Sequence, residues 1–125
     1  ANPRLESVKP LPSEYAAALA RYRLIRPFIE ARLAARAGEA LQAVASLDLG
    51  PVEPGRILEA ALRLGEIALA QRELRWLAGL FQNHHVPLAA LQAVIRGYAE
   101  GIRETAADDS LLLRLAAMLE EEAKQ

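Results

Sequence analysis

The chain has 125 residues, 53% of them apolar and 25% charged, a globular balance that excludes a disordered segment and provides length for one domain with a real core. A formal net charge of −1 gives the whole molecule no field to attract nucleic acid or anionic lipid, and no stretch approaches the roughly 20 apolar residues of a membrane span. The absence of cysteine excludes disulfides, zinc–thiolate sites and thiol catalysis.

Alanine, leucine and arginine dominate while aromatics are only 5%, a composition of strong helix formers. A core rich in alanine implies closely approaching helices and few large preformed cavities, which weighs against a small-molecule enzyme. No signal-peptide pattern opens the chain, so a cytoplasmic location is expected, and the start at Ala1 without methionine suggests a domain cut from something longer. Charge is unevenly spread. Residues 1–37 carry seven basic and three acidic side chains, net +4, and residues 38–125 carry eight and thirteen, net −5. One helix facing the others inside a fold accounts for that asymmetry; the alternative is head-to-tail or dimeric contact between the basic front and Glu120-Glu121-Glu122.

In chain order, residues 1–12 hold three prolines and no sustained period, and read as an N-terminal arm laid across the bundle through Leu5 and Val8. Ser13 before Glu14 reads as a helix N-cap. Tyr15, Leu19, Tyr22 and Ile25 follow at three-four spacing. Pro27 removes a helical hydrogen bond and crowds the preceding turn, so Arg26-Pro27 is expected to kink or end this helix. The pattern resumes at Phe28, Ile29, Leu33 and Ala37, weakens at Gly38, and runs through Leu41, Val44 and Leu47 to a firm stop at Gly50-Pro51.

The stretch from Arg56 to Phe81 carries the longest apolar period and the only tryptophan, Trp76. Its apolar positions include Ile57, Ala61, Leu64, Ala68, Ala70, Leu74, Leu77 and Phe81, an arc wide enough to touch two or three neighbours. It is therefore expected to be one long central helix, with Pro54 suited to its first turn and Gly65 able to split it. Asn83-His84-His85-Val86-Pro87 breaks the run. Leu88, Leu91, Ile95, Tyr98 and Ile102 form the cleanest stripe in the chain. Asp108-Asp109-Ser110 ends that helix and caps the last, whose buried face is Leu111, Leu112, Leu115 and Leu119. No strand-like alternation occurs. The fold class expected is all-α: a single bundle over residues 13–125 of about five helices joined by short loops.

His84 and His85 are the only imidazoles. Adjacent helical residues point about 100° apart, so the pair does not chelate one metal, and a position at a helix end suits a capping role against the dipole. The alternative is a tetrapyrrole or other apolar cofactor, haem or cobalamin, with one of them as axial ligand. Trp76, set among Arg72, Glu73 and Arg75, is either packed with its indole nitrogen near the surface or an interface anchor. Gly97 and Gly101, one turn apart, allow either close packing within the bundle or a dimer seam. Arginines 21, 23, 26, 32 and 36 have dispersed helical angles and no Gly-rich phosphate loop, and read as solvated faces and ion pairs. No Ser-His-Asp set exists, and Glu100 and Glu104 fall on a wet face where nothing tunes a catalytic carboxyl.

The segment from Leu62 to Glu104, with Leu64-Gly65, Trp76-Leu77, Leu80, Val86-Pro87, Leu91 and Ile102, resembles helical modules of bacterial sensory and regulatory proteins, which sometimes occur beside cobalamin-binding domains. The cofactor-contacting histidine motifs of those families have no match here. The resemblance thus implies a regulatory or sensing module and not the cofactor-binding part. Together these readings lead to a non-catalytic bundle that binds no cofactor or metal and works through protein association, as a homodimer or with another protein. The expected contact surface is Trp76 with Leu91, Ile95, Gly97, Tyr98, Gly101 and Ile102.

Overall fold

Pro12 stands just before the first helix, and its carbonyl starts that helix by accepting from the N–H groups of Tyr15 and Ala16 at 3.0 Å each. The structure is a computed structural model that describes residues 10–124. Six α-helices run through them: α1 (Ser13–Arg36), α2 (Gly38–Ala45), α3 (Pro54–Arg63), α4 (Ile67–Asn83), α5 (Leu88–Thr105) and α6 (Ser110–Glu122), with one 3-10 turn at Gly50–Val52. No strand occurs among the described residues, and the all-α expectation holds. Of the expected arm, residues 1–9 with Leu5 and Val8 lie outside the described residues.

Two expectations about breaks are corrected. Of the kink or helix end expected at Arg26-Pro27, the end does not occur: α1 passes through Pro27, which sits on the exposed side, where water can serve the carbonyl left without its helical donor. Ile25 and Ile29, both buried, hold the helix to the core on either side of it. The break falls instead at Ala37, whose φ of −138° takes the backbone out of the helix before Gly38. Ser13 is the first helical residue rather than the cap, since Pro12 occupies the cap position and no side chain bonds there.

The long central helix expected over Arg56–Phe81 is two helices. Gly65 adopts a φ of +72°, the Gly65 N–H bonds the Leu62 carbonyl at 3.3 Å, and the Glu66 N–H bonds the Ala61 carbonyl at 2.9 Å. This paired closure is a Schellman motif, which satisfies the last carbonyls of α3 and turns the chain. The same geometry ends α4: His85 has a φ of +57°, and the His85 and Val86 N–H groups bond the carbonyls of Gln82 and Phe81. Glu53 caps α3 by accepting from the Arg56 N–H at 2.8 Å, and Asp109 caps α6 by accepting from the Leu112 N–H at 3.0 Å.

The organising helix is α5, which packs against each of the other five. Leu91, Val94, Ile95, Tyr98, Ala99, Gly101 and Ile102 are all buried on it. α1 lies along α5 so closely that a Cβ on Gly97 would stand 2.1 Å from Leu33 Cδ2, and one on Gly101 would stand 2.7 Å from Ile29 Cγ1 and 3.3 Å from Ile29 Cβ. Neither distance is a possible contact, so the absence of a side chain sets how near the two helices come. Gly101→Ala is expected to destabilise the domain by about 1–3 kcal/mol through overpacking against a β-branched neighbour. Gly79→Ala is the control: nothing lies within 4 Å of its Cβ position in α4, so it is expected to stabilise by about 0.5–1 kcal/mol. Urea titration of both variants beside the parent checks the two signs.

Candidate functional site

Most of the expected contact surface is inside the chain. Leu91, Ile95, Tyr98, Gly101 and Ile102 are buried and Gly97 is half-buried, with the two glycines facing Leu33 and Ile29 of α1. The cleanest apolar stripe belongs to the helix that packs against all five others, so the stripe itself is covered within the chain, while the polar side with Arg96, Glu100, Arg103 and Glu104 faces solvent. Trp76 alone of that set is open, 55% exposed on α4. His84 and His85 are exposed at the α4–α5 corner, one closing the helix and the other holding its left-handed turn. No group of three or more His, Cys, Asp or Glu residues among the described residues is placed to hold a metal ion.

Four arginines of the basic front, Arg21, Arg23, Arg26 and Arg32, face carboxylates of the acidic remainder. Arg21 donates to Asp108 Oδ1 at 3.0 Å and to the Thr105 carbonyl at 2.8 Å, Arg32 pairs with Glu104, and Arg23 stands 3.8 Å from Glu59. The uneven charge along the sequence therefore closes across helices within one molecule. Among the described residues the acidic end does not reach the basic front: Glu120 bonds Arg103, Glu121 bonds Lys124, and the buried Glu122 accepts from Arg75 and Gln71. Arg36, the last residue of α1, has no ion-pair partner among the described residues.

One polar cluster joins α1, α3 and α5. Arg26 donates to Glu30 Oε2 at 2.9 Å and to Glu53 Oε1 at 2.8 Å, with Glu59 Oε1 at 3.7 Å. Tyr98 Oη donates to Glu30 Oε2 at 2.6 Å, and Tyr22 Oη donates to the Gly55 carbonyl at 2.7 Å. Gly55 makes room for this knot, since a Cβ there would stand 2.5 Å from Tyr98 Oη and 2.8 Å from Arg26 Nη2. Burial pushes the Tyr22 phenol far above its ordinary range despite the opposing pull of Arg26. Burial does the same to Tyr98, helped by Tyr22 and by the hydrogen bond to Glu30. Burial works against the charge on Arg26, yet the bond to Glu30 leaves its pKa raised. Both phenols therefore stay protonated as donors, and Arg26 is occupied by carboxylates. Beside the knot lies an open depression of about 490 Å³ lined by Arg26, Glu30, Asp48, Glu53, Arg56 and Tyr98. No buried side-chain polar atom among the described residues lacks a partner, so the cluster reads as a latch between helices.

The feature that sequence periodicity missed is the outer face of α1. Leu24 is 70% exposed and Phe28 72% exposed, one turn apart, and Ala17, Ala20, Pro27, Ala31, Ala34 and Ala35 around them are exposed as well. No charged side chain enters this face between Ala17 and Ala35 at those positions. Phe28 reads from the sequence as core, yet Tyr22, Ile25, Ile29 and Leu33 take that role and turn Leu24 and Phe28 to the opposite side at 100° per residue. The signal was present: Leu24 and Phe28 are out of phase with the buried set. Leu64, placed in the core arc by period alone, is 63% exposed beside the α3–α4 turn.

No family model, curated protein or solved structure matches the chain.

Two outcomes are expected from the polar contacts. Arg26→Leu removes the cation that three carboxylates share and is expected to cost about 2 kcal/mol, below the value for fully buried pairs because the site is partly wet; a urea titration reads it. The Asp108 carboxyl is held below its ordinary range by its hydrogen bonds from Arg21, and Glu120 by those from Arg103. Depressed folded-state values add stability above the unfolded carboxylate range, and that stability is lost as pH falls through them. The thermal midpoint is expected to drop from about pH 5 downward, and Asp108→Asn with Glu120→Gln to flatten that slope.

Proposed function

We propose that the domain is a non-catalytic association module of a regulatory or sensory protein, and that it works by self-association through the outer face of α1. The observation that carries this is the solvent-facing pair Leu24 and Phe28, each more than two-thirds exposed on a helix whose other side is already fully committed to the core. A helix apolar on one side needs one neighbour, and α1 is apolar on two. Burying a leucine or phenylalanine contributes about 1.5–3 kcal/mol per side chain. Four such side chains in a symmetric pair offset much of the cost of association, itself about 4–15 kcal/mol. That balance points to a reversible dimer, the kind of contact a regulatory module can make and release.

The likeness of the Leu62–Glu104 segment to sensory modules supports the regulatory half of the reading. Trp76, on α4, supplies a second exposed apolar group for a further partner.

Sedimentation velocity from micromolar to millimolar concentration tests this. The parent chain is expected to self-associate, and Leu24→Ser with Phe28→Ser to be monomeric with an unchanged helical circular dichroism spectrum. A parent that stays monomeric at the highest concentration overturns the reading, as does a doubly substituted chain that associates equally well.

A further inference from the structure

We infer that the notch between the end of α1 and the first half of α5 is a binding site for a small carboxylate, a monoanion carried on a short aliphatic stem. This goes beyond the association reading and does not depend on it. α1 and α5 run antiparallel, with Leu33 against Gly97 and Ile29 against Gly101. One turn further along, α1 ends at Arg36, the backbone leaves the helix at Ala37, and α5 offers only Ala93. Small side chains on both sides leave an open space of about 170 Å³ whose apolar lining is Leu33, Ala37, Ala93 and Gly97. Pockets for drug-sized ligands run to about 300–1,000 Å³, so this one suits a molecule of a few carbon atoms.

Charge selects the ligand class. Arg32 and Arg36 from α1 and Arg96 from α5 line the notch together with Glu100. Arg32 is committed to Glu104. Arg36 and Arg96 are exposed, and neither forms an ion pair among the described residues, with Glu100 or with any other carboxylate. Earlier on the same helix Arg21, Arg23 and Arg26 each face a carboxylate, so the unpaired guanidinium groups gather at this end. They approach one apolar recess from two helices, and low-dielectric walls concentrate their field there. The three arginines set against Glu100 and Glu104 leave the notch a net charge of +1. A carboxylate cancels that charge, a dianionic phosphate reverses it, and a neutral molecule leaves both guanidinium groups unserved. The planar fork of arginine matches carboxylate oxygens, and the apolar lining takes the stem. Glu100, one turn from Arg96 and inside the same notch, competes with the ligand for it and limits affinity.

Butanoate is the probe, titrated into the isotope-labelled full chain at constant ionic strength and about pH 8, where phosphate is mostly dianionic. Butanol and inorganic phosphate are titrated beside it, and amide and guanidinium N–H resonances are followed by NMR. Saturable shifts are expected at the backbone of Ala93 and Gly97 and at the Nε–H groups of Arg36 and Arg96, with a dissociation constant of about millimolar order. Butanol and phosphate are expected to bind at least about fivefold more weakly. Arg36→Gln and Arg96→Gln are each expected to weaken butanoate about fivefold, and Glu100→Gln to tighten it about twofold. Arg114→Gln, which removes an exposed and unpaired arginine of α6 away from the notch, is expected to leave binding unchanged.

No saturable shift at about 50 mM butanoate overturns the site. Binding that survives both arginine substitutions, or that Arg114→Gln weakens equally, overturns it too, because either marks a general attraction to positive charge. Phosphate or butanol binding as tightly as butanoate overturns the carboxylate assignment. None of these outcomes alters what sedimentation reports of self-association, so the two readings stand or fall separately.

Discussion

The depth at which α1 settles against α5 governs the rest of the molecule. Gly97 and Gly101 leave two gaps on α5, and Leu33 and Ile29 of α1 fill them at distances no side chain on α5 would permit. The latch forms only at that depth. Tyr98 on α5 must reach Glu30 on α1 across the same seam, at 2.6 Å, while Arg26 reaches Glu53 at the head of α3 at 2.8 Å. Gly55 repeats the device on α3, where any side chain would occupy the space of the Tyr98 hydroxyl. Sterics and hydrogen bonding are thus one constraint: three glycines let three helices come near enough for a satisfied polar knot to close between them. Since interior packing is dense and such networks fail as units, the rotation of α1 about its own axis is fixed.

That fixed rotation determines what the molecule shows to solvent. With Tyr22, Ile25, Ile29 and Leu33 inward, Leu24 and Phe28 have nowhere to go but out. The arginines flanking the buried arc meet carboxylates from α3, α5 and the turn after α5, through Glu59, Glu104 and Asp108. Exposed pairs of this kind add little stability each. Their effect is on the surface: they neutralise the basic front locally and leave the outer face of α1 flanked by charges already in use. What that face presents to solvent is apolar.

Helix type and order were legible because period and breakers agreed over most of the chain. The α5 stripe and the Asp109 cap appear where their residues imply, whereas the helix expected to run on to Gly50-Pro51 ends at Ala45 and that pair sits in a 3-10 turn. Three features escaped for physical reasons. Gly65 marks both a tolerated interior glycine and a left-handed turn, and only the bonds from Gly65 and Glu66 back to Leu62 and Ala61 separate the two. Pro27 costs a helix less where the carbonyl it strands faces water, and exposure is not written in a single sequence. Most of the expected contact residues lie inside the chain because periodicity identifies which side chains are apolar and is silent on which chain covers them. The best stripe became the most enclosed helix, while on α1 Phe28 reads as core beside Ile29 and Leu24 stands outside the pattern altogether. The latch was equally hidden, since Arg26, Glu30, Glu53 and Tyr98 are far apart in sequence and ordinary one by one.

Because α1 alone carries the seam with α5, the latch and the outer face, association through it cannot be energetically separate from folding. A partner that binds only the folded α1 stabilises the whole domain by mass action, in proportion to the logarithm of its concentration over the dissociation constant. The latch adds direction to this linkage. Glu30 and Arg26 sit one turn apart on the edge of α1 between its two faces, so the same rotation that closes the knot presents Leu24 and Phe28 squarely outward. Anything that loosens the knot, by letting α1 turn about its axis, re-aims Leu24 and Phe28 in the same motion. The depression lined by Glu30, Glu53 and Tyr98 lies against the same knot, so the packing there and the aim of the outer face of α1 are tied through one rigid element.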